Sequence, residues 1–291
     1  VSMQSVHRAV ANIGAVFTVA AVVAGCGQPA SSIPVPTSLP PSPVSLQPNL
    51  QRTFGDEFDG PAGAEPDPSR WLTDTGGTGW GNDELQYYTD GDNTYLDGQG
   101  HLVIEARAGS DGHTCWYGPC RYTSGKVTTR QSRHVAFVQQ YGRFEARIKM
   151  PPGAGLWPAF WLLGDNIDSV GHPEAGEIDV VETLGRRNDE VEQHAHGPGL
   201  EFGSEFILPL GQSVTDWHTY SIEWSSEMIA WQVDGQTTRT LAKGEAGAGW
   251  VFDHPFYILL NLAVGGEWPG PPDSATVFPA RMLVDHVRVF R

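Results

Sequence analysis

Over much of the chain beyond residue 100, hydrophobic and polar positions alternate with a period of two, the pattern of strands with one buried face. In HLVIEARA, Leu102, Ile104 and Ala106 oppose Val103, Glu105 and Arg107, which predicts a half-buried strand. RFEARIKM likewise sets Phe144, Ala146, Ile148 and Met150 against Glu145, Arg147 and Lys149. The segment TYSIEWSSEMIAWQVDGQ reads as consecutive strands. Its inward sets are Tyr220, Ile222, Trp224 and then Ile229, Trp231, Val233, with Asp234 and Gly235 as a tight turn. No stretch beyond the first 26 residues keeps a helical period over three turns. Many short antiparallel strands without helices predict an all-β fold, a β-sandwich or jelly roll.

One strand departs from simple alternation. In Gly176, Glu177, Ile178, Asp179, Val180, Val181, Glu182, three carboxylates are separated only by β-branched hydrophobes. Glu177 and Asp179 share one face while Ile178 and Val180 point into a core. Glu182, at an odd offset from Glu177, faces the other way unless Val180 or Val181 is absorbed in a β-bulge. With the bulge, all three acids line one surface. Glycoside hydrolysis with retention needs two carboxyls about 5 to 5.5 Å apart. Backbones about 13 Å apart at strand rise permit this if two Glu side chains lean together. Like charges this close raise at least one pKa, as a general acid requires. The spacing alone leaves open a second reading, acids that are merely solvent-facing or bind a cation.

Composition narrows the partners. A net charge of −16 argues against nucleic acid and anionic membrane surfaces, whereas a neutral polysaccharide is indifferent to it. The 35 Gly and 22 Pro suit short strands and long loops, and 291 residues can form one large β domain. Residues 1–25 have a secretory layout, with His7 and Arg8 before an apolar run from Ala9 to Ala24. The run ends in Val23, Ala24, Gly25, Cys26, which resembles a bacterial lipobox and implies a lipid on Cys26; an ordinary signal peptide is the alternative. Residues 26–50 are rich in Pro, Ser, Gln and Thr and read as a disordered tether, leaving residues 51–291 as the catalytic domain. The expected location is the outer face of the cell membrane, or secreted, with membrane contact through the lipid only. Cys115 and Cys120, spaced CWYGPC, are predicted to form a disulfide in an exported protein.

GEIDVVET resembles the active-site signature of glycoside hydrolase family 16, the laminarinase and lichenase family, in its longer form. The resemblance runs from about Phe54, through DEFDG at residues 56–60, to Phe290. It implies a jelly-roll β-sandwich of two antiparallel sheets with a concave substrate cleft. It further implies Glu177 as nucleophile, Asp179 as its assistant and Glu182 as acid/base. His196, in HAHGPG, matches a position near the acid/base residue, with a helper role or a structural one.

The substrate segments are similar too. GTGWGNDELQYYT resembles a segment of bacterial β-1,3-glucanases and offers Trp80 and Asn82, although Trp80 could equally be packing. GLWPAFWLLG places Trp157 and Trp161 on one side of a strand, as sugar contacts or as core, and AVGGEWPGPP offers Trp268. TSGKVTTR puts Lys126 where the family commonly has Arg, and an ammonium lacks the planar fork. Family members often hold one structural calcium, for which Glu57, the Gly100 carbonyl and Asp285 are the matching donors. No cofactor is expected for catalysis. The resemblance implies an endo-β-1,3-glucanase acting on β-glucan; nothing in the pattern asks for a partner chain, so a monomer is expected. Mixed-linkage glucan or galactan, transglycosylation, and glycan binding without chemistry stay open.

Overall fold

A computed structural model describes residues 50–132 and 134–291. The expected signal, Cys26 and nearly all of the tether lie outside the described residues. Two sheets, antiparallel except where Gln86–Tyr88 runs parallel to Tyr122–Ser124, are stacked over one core. The first carries, in order, strands Gln236–Ala242, Met228–Val233, His218–Trp224, Gly142–Lys149, Ala280–Phe290, Leu102–Ala108, Tyr122–Ser124 and Gln86–Tyr88. The second runs Leu200–Ile207, Glu190–Gly197, Glu177–Glu182, Leu156–Gly164, Phe256–Val264, Lys126–Thr128 and Leu72–Thr73. Sequence neighbours are joined by hairpins at one side of each sheet, while distant segments pair in the middle. The helices are short, Ile167–Val170 and Lys243–Ala246. None among the described residues is long and apolar enough to cross a membrane.

The alternating sets fall where their period places them. Phe144, Ala146 and Ile148 are fully buried, as are Tyr220, Ile222, Ile229 and Trp231, and they meet Ile178, Phe160, Leu162, Ile258 and Leu260 from the opposite sheet in one cluster. Burial of such apolar area is the main driving force for the sandwich. Asp234 and Gly235 both have positive φ, 50° and 77°, and form the turn between their two strands. The Leu102–Ala108 strand is buried more deeply than its alternation predicts. Val103 and Glu105 on its polar face are 2% and 4% exposed, because Tyr95 Oη, Arg107 and Arg281 close over Glu105 with charge-assisted hydrogen bonds.

Two of the three donors expected for calcium, Glu57 and Asp285, have cationic neighbours. Arg288 grips both oxygens of Glu57 at 3.0 and 2.7 Å, and Arg52 adds a third contact at 2.8 Å. Asp285 faces Arg147 at 3.4 Å and His286 at 2.9 Å. An ion held by these two carboxylates would have to displace the Arg288 and Arg147 contacts.

Candidate active site

The bulge forms. Asp179 pairs with His194 and Glu182 with Glu192, so three steps on the Glu177–Glu182 strand match two on its neighbour. The register against the Leu156–Gly164 strand slips at the same place. Val180 and Val181 are both fully buried, and the alternation resets so that Glu182 joins Glu177 and Asp179 on the cleft. A bulge frees backbone groups that need other partners. The Trp231 indole N–H, reaching across the core, donates to the Asp179 carbonyl at 2.8 Å. The Gln193 amide donates to the Val180 carbonyl at 3.4 Å. Gly176 enters the strand at φ 75°, and a β-carbon there would come within 2.9 Å of Val251. The glycine before the first acid is therefore a steric requirement.

The acids lie in a cleft of about 960 Å³ across the second sheet. Burial, then the charge of Asp179, raise Glu177 to about 8, against the opposing pull of His196 and Lys126. Burial, then Asp179 and Glu177, push Glu182 well above the ordinary carboxyl range, and its Oε1 accepts a hydrogen bond from Trp157 Nε1 at 2.8 Å. Burial by itself would make His196 less basic, but Asp179, Glu177 and Glu201 outweigh it and raise the imidazole to about 10. His196 is thus a cation at neutral pH. Its Nε2 stands 3.3 Å from Asp179 Oδ2 and 3.9 Å from Glu177 Oε1, and its Nδ1–H donates to Glu201 at 2.6 Å.

This geometry corrects one expectation. His196 pairs in register with Glu177 and lies at that end of the row, while Trp157 is the side chain bonded to Glu182. The histidine comes from the adjacent antiparallel strand, which folds its end back onto the start of the acid strand. His172 Nε2, from the preceding loop, lies 3.5 Å from Glu177 Oε2. Burial and the neighbouring His196 charge lower the His172 pKa, so the ring is neutral.

The expected sugar-facing residues also come together. Trp80, Asn82, Lys126, Trp157, Trp161 and Trp268 all line the cleft. The Lys126 ammonium lies 4.3 Å from the Trp80 ring centre and 5.2 Å from that of Trp161, and pairs with Asp74 at 3.4 Å. Trp157 and Trp268 meet edge to face at 5.4 Å, and Trp268 keeps 37% of its surface exposed. Beneath Trp161 runs a buried chain. Its Nε1–H donates to Asn261, Asn261 donates to Tyr88 Oη, and Tyr88 donates to Glu84. Cys115 and Cys120 are bonded as expected.

Sequence reading passed over His172, His194, Arg130 and Tyr257, which also line the cleft. Arg130 spans Asp165 and Asp168 at 2.7 Å each, with its guanidinium over Tyr257. The signal for Arg130 was its position next to TSGKVTT, only four residues from Lys126.

A concave sheet with a row of buried and half-buried carboxyls, walled by partly exposed indole rings, defines a polysaccharide-cleaving β-sandwich enzyme. Residues 81–286 match the profile of glycosyl hydrolases family 16, and the chain belongs to that family. It is 39% identical over 261 residues to a beta-glucanase of Rhodothermus marinus, covering 84% of this chain and 86% of that protein. In structure it resembles the catalytic domain of an endo-1,3-beta-glucanase (laminarinase) from Thermotoga petrophila, with a TM-score of 0.77, 43% identity, and 84% and 98% of the two chains covered. An endo-beta-1,3-glucanase from Pyrococcus furiosus matches with a TM-score of 0.76 and 42% identity over 83% and 94% of the two chains. The chain is accordingly a glycoside hydrolase of the endo-β-glucanase kind.

Proposed function

We propose that this protein is an exported, lipid-anchored endo-glucanase that cleaves internal β-1,3-glucosidic bonds with net retention. The observation that carries the reading is the bulge-reset row of acids, in which the two glutamates have different neighbours. Glu177 faces the His196 cation and Glu182 faces only an indole N–H, so the pair loses its first proton at Glu177 and keeps the second on Glu182. Glu177 then attacks the anomeric carbon as the glycosidic bond breaks, and Glu182 delivers its proton to the departing oxygen. Water next attacks the glycosyl ester, Glu182 takes its proton, and Glu177 leaves as the carboxylate. Asp179, held by His196, steers the protonation of Glu177. Trp80, Trp157, Trp161 and Trp268 supply stacking faces for pyranose rings, with Asn82 and Lys126 at their edges. The β-1,3 linkage rests on what the laminarinase relatives act on, and the anchor rests on the residues around Cys26.

Incubation with laminarin, mixed-linkage glucan and agarose, beside Glu177→Gln, tests the reading. New reducing ends from laminarin with the wild type alone are the expected result. Wild-type-like turnover by the variant would remove Glu177 from its role. Cleavage of mixed-linkage glucan or agarose in place of laminarin would reassign the substrate.

A further inference from the structure

Strands Thr114–Cys115 and Gly118–Pro119 form a small hairpin closed by the Cys115–Cys120 disulfide. It packs against the back of the segment that presents Trp80 and Asn82 to the cleft. The Trp116 backbone N–H donates to the Gly77 carbonyl at 2.8 Å, and its indole Nε1–H donates to the Glu84 carbonyl at 2.9 Å. The Tyr117 hydroxyl donates to the Leu85 carbonyl at 2.6 Å and accepts from the Arg121 N–H at 2.9 Å. The sulfur itself touches the segment, since a β-carbon on Gly77 would fall 2.7 Å from Cys115 Sγ. The hairpin thus grips both ends of residues 77–85.

Between those grips the chain adopts a shape it would not hold alone. Trp80 and Asp83 have φ of 51° and 55°, each a non-glycine residue held in the strained left-handed region. On the cleft side the Trp80 ring rests on Lys126 and lies 5.3 Å from Tyr88. The hairpin holds the same segment from behind. Trp116 and Tyr117 do not line the cleft, and neither has a hydrogen bond to the catalytic acids.

We propose that Trp116 and Tyr117, stapled by the disulfide, are positioning residues for the Trp80–Asn82 rim, so that the affinity of the cleft for glucan depends on whether Cys115 and Cys120 are bonded. The part concerning glucan rests on the function proposed above. Because the hairpin acts on the rim and not on the acids, opening it weakens binding and leaves the chemical step alone.

The test uses the full protein in oxidised form, in dithiothreitol, as Cys115→Ser/Cys120→Ser, and as Tyr117→Phe, which keeps the disulfide and the ring. Amide hydrogen exchange over residues 76–85 is read first, then kcat and KM on laminarin. Opening the disulfide is expected to speed exchange in that segment and raise KM about fivefold, the scale of one misplaced aromatic contact, with kcat nearly constant. Tyr117→Phe is expected to move both readouts in the same direction by less. Unchanged exchange over residues 76–85 in the opened forms would overturn the proposal, and so would a fall in kcat at constant KM, which marks a hairpin that supports the fold alone. Faster exchange in a protein that never cleaves laminarin would uphold the positioning role and remove the glucan reading instead.

Discussion

Trp157 and Glu182 are joined by one hydrogen bond, from the indole Nε1–H to Oε1 at 2.8 Å. Among the described residues it is the single side-chain hydrogen bond to that carboxyl. It favours the ionised form, while burial, Asp179 and Glu177 hold the proton on. Trp157→Phe removes the donor and keeps an aromatic face in the cleft. If Glu182 is the general acid, as proposed, the basic limb of the pH profile of kcat/KM is expected to move to higher pH. A limb that stays in place would mean that Glu182 does not set it.

The acidic limb has a different owner. In the proposed mechanism Glu177 must be ionised to attack, and burial and Asp179 oppose this while His196 assists. His196→Gln deletes a cation 3.9 Å from Glu177 Oε1, so the Glu177 pKa rises further from its value of about 8. The acidic limb then shifts to higher pH, and turnover at neutral pH falls by about 10-fold or more. The same measurement in Glu201→Gln is expected to give a smaller shift of the opposite sign, because the Glu201 charge itself raises Glu177 while Asp179 and Glu177 still keep His196 protonated. An unshifted acidic limb in His196→Gln would assign the histidine a structural role.

Much of this arrangement was legible in the residues, for identifiable reasons. The odd offset between Glu177 and Glu182 allows only a bulge if all three acids share a surface, and a bulge is what the register contains. Inward sets such as Tyr220, Ile222 and Trp224 follow from a period of two with one wet face. What stayed hidden depends on pairing between distant segments. Alternation along one strand does not say which strand lies beside it, so the contact of His196 with the Glu177 end of the row was not visible. Nor was the bond from Trp231 to a backbone carbonyl 52 positions away. Glu105 shows the same limit, because an acid on a polar face looks exposed until Arg107 and Arg281 are known to fold over it.

The acid row should also make the protein less stable than it could be. Glu177 titrates at about 8 in the folded protein, against about 4.3 for an unperturbed glutamate, so the folded state binds the proton more tightly. A carboxyl raised in this way contributes stability below its unfolded pKa and loses it as pH rises through the folded one. Glu177→Gln does not titrate. It is expected to melt above the wild type near pH 8 by at least about 2 to 4 °C, the shift for each 1 kcal/mol in a domain of this size, with the gap closing as pH falls toward 4. Thermal unfolding followed across that pH range checks this, and a gap independent of pH would show that Glu177 carries no strained charge.

The bulge itself depends on a residue outside the cleft. Trp231 is fully buried on the opposite sheet, yet its indole N–H satisfies the Asp179 carbonyl at the point where the register slips. Trp231→Phe keeps most of the apolar contact and leaves that carbonyl without its donor. An unsatisfied buried group costs about 1 to 3 kcal/mol, and part of the cost can be relieved only if the bulge relaxes. Relaxation would turn Asp179 and Glu182 away from their places, so kcat on laminarin should fall together with thermal stability. KM should change little, because the indole walls at Trp80, Trp161 and Trp268 are held by other contacts. Loss of stability with wild-type kcat would show that the bulge keeps its shape without the Trp231 bond, and that local packing of Val180 and Val181 is enough to hold the acids in line.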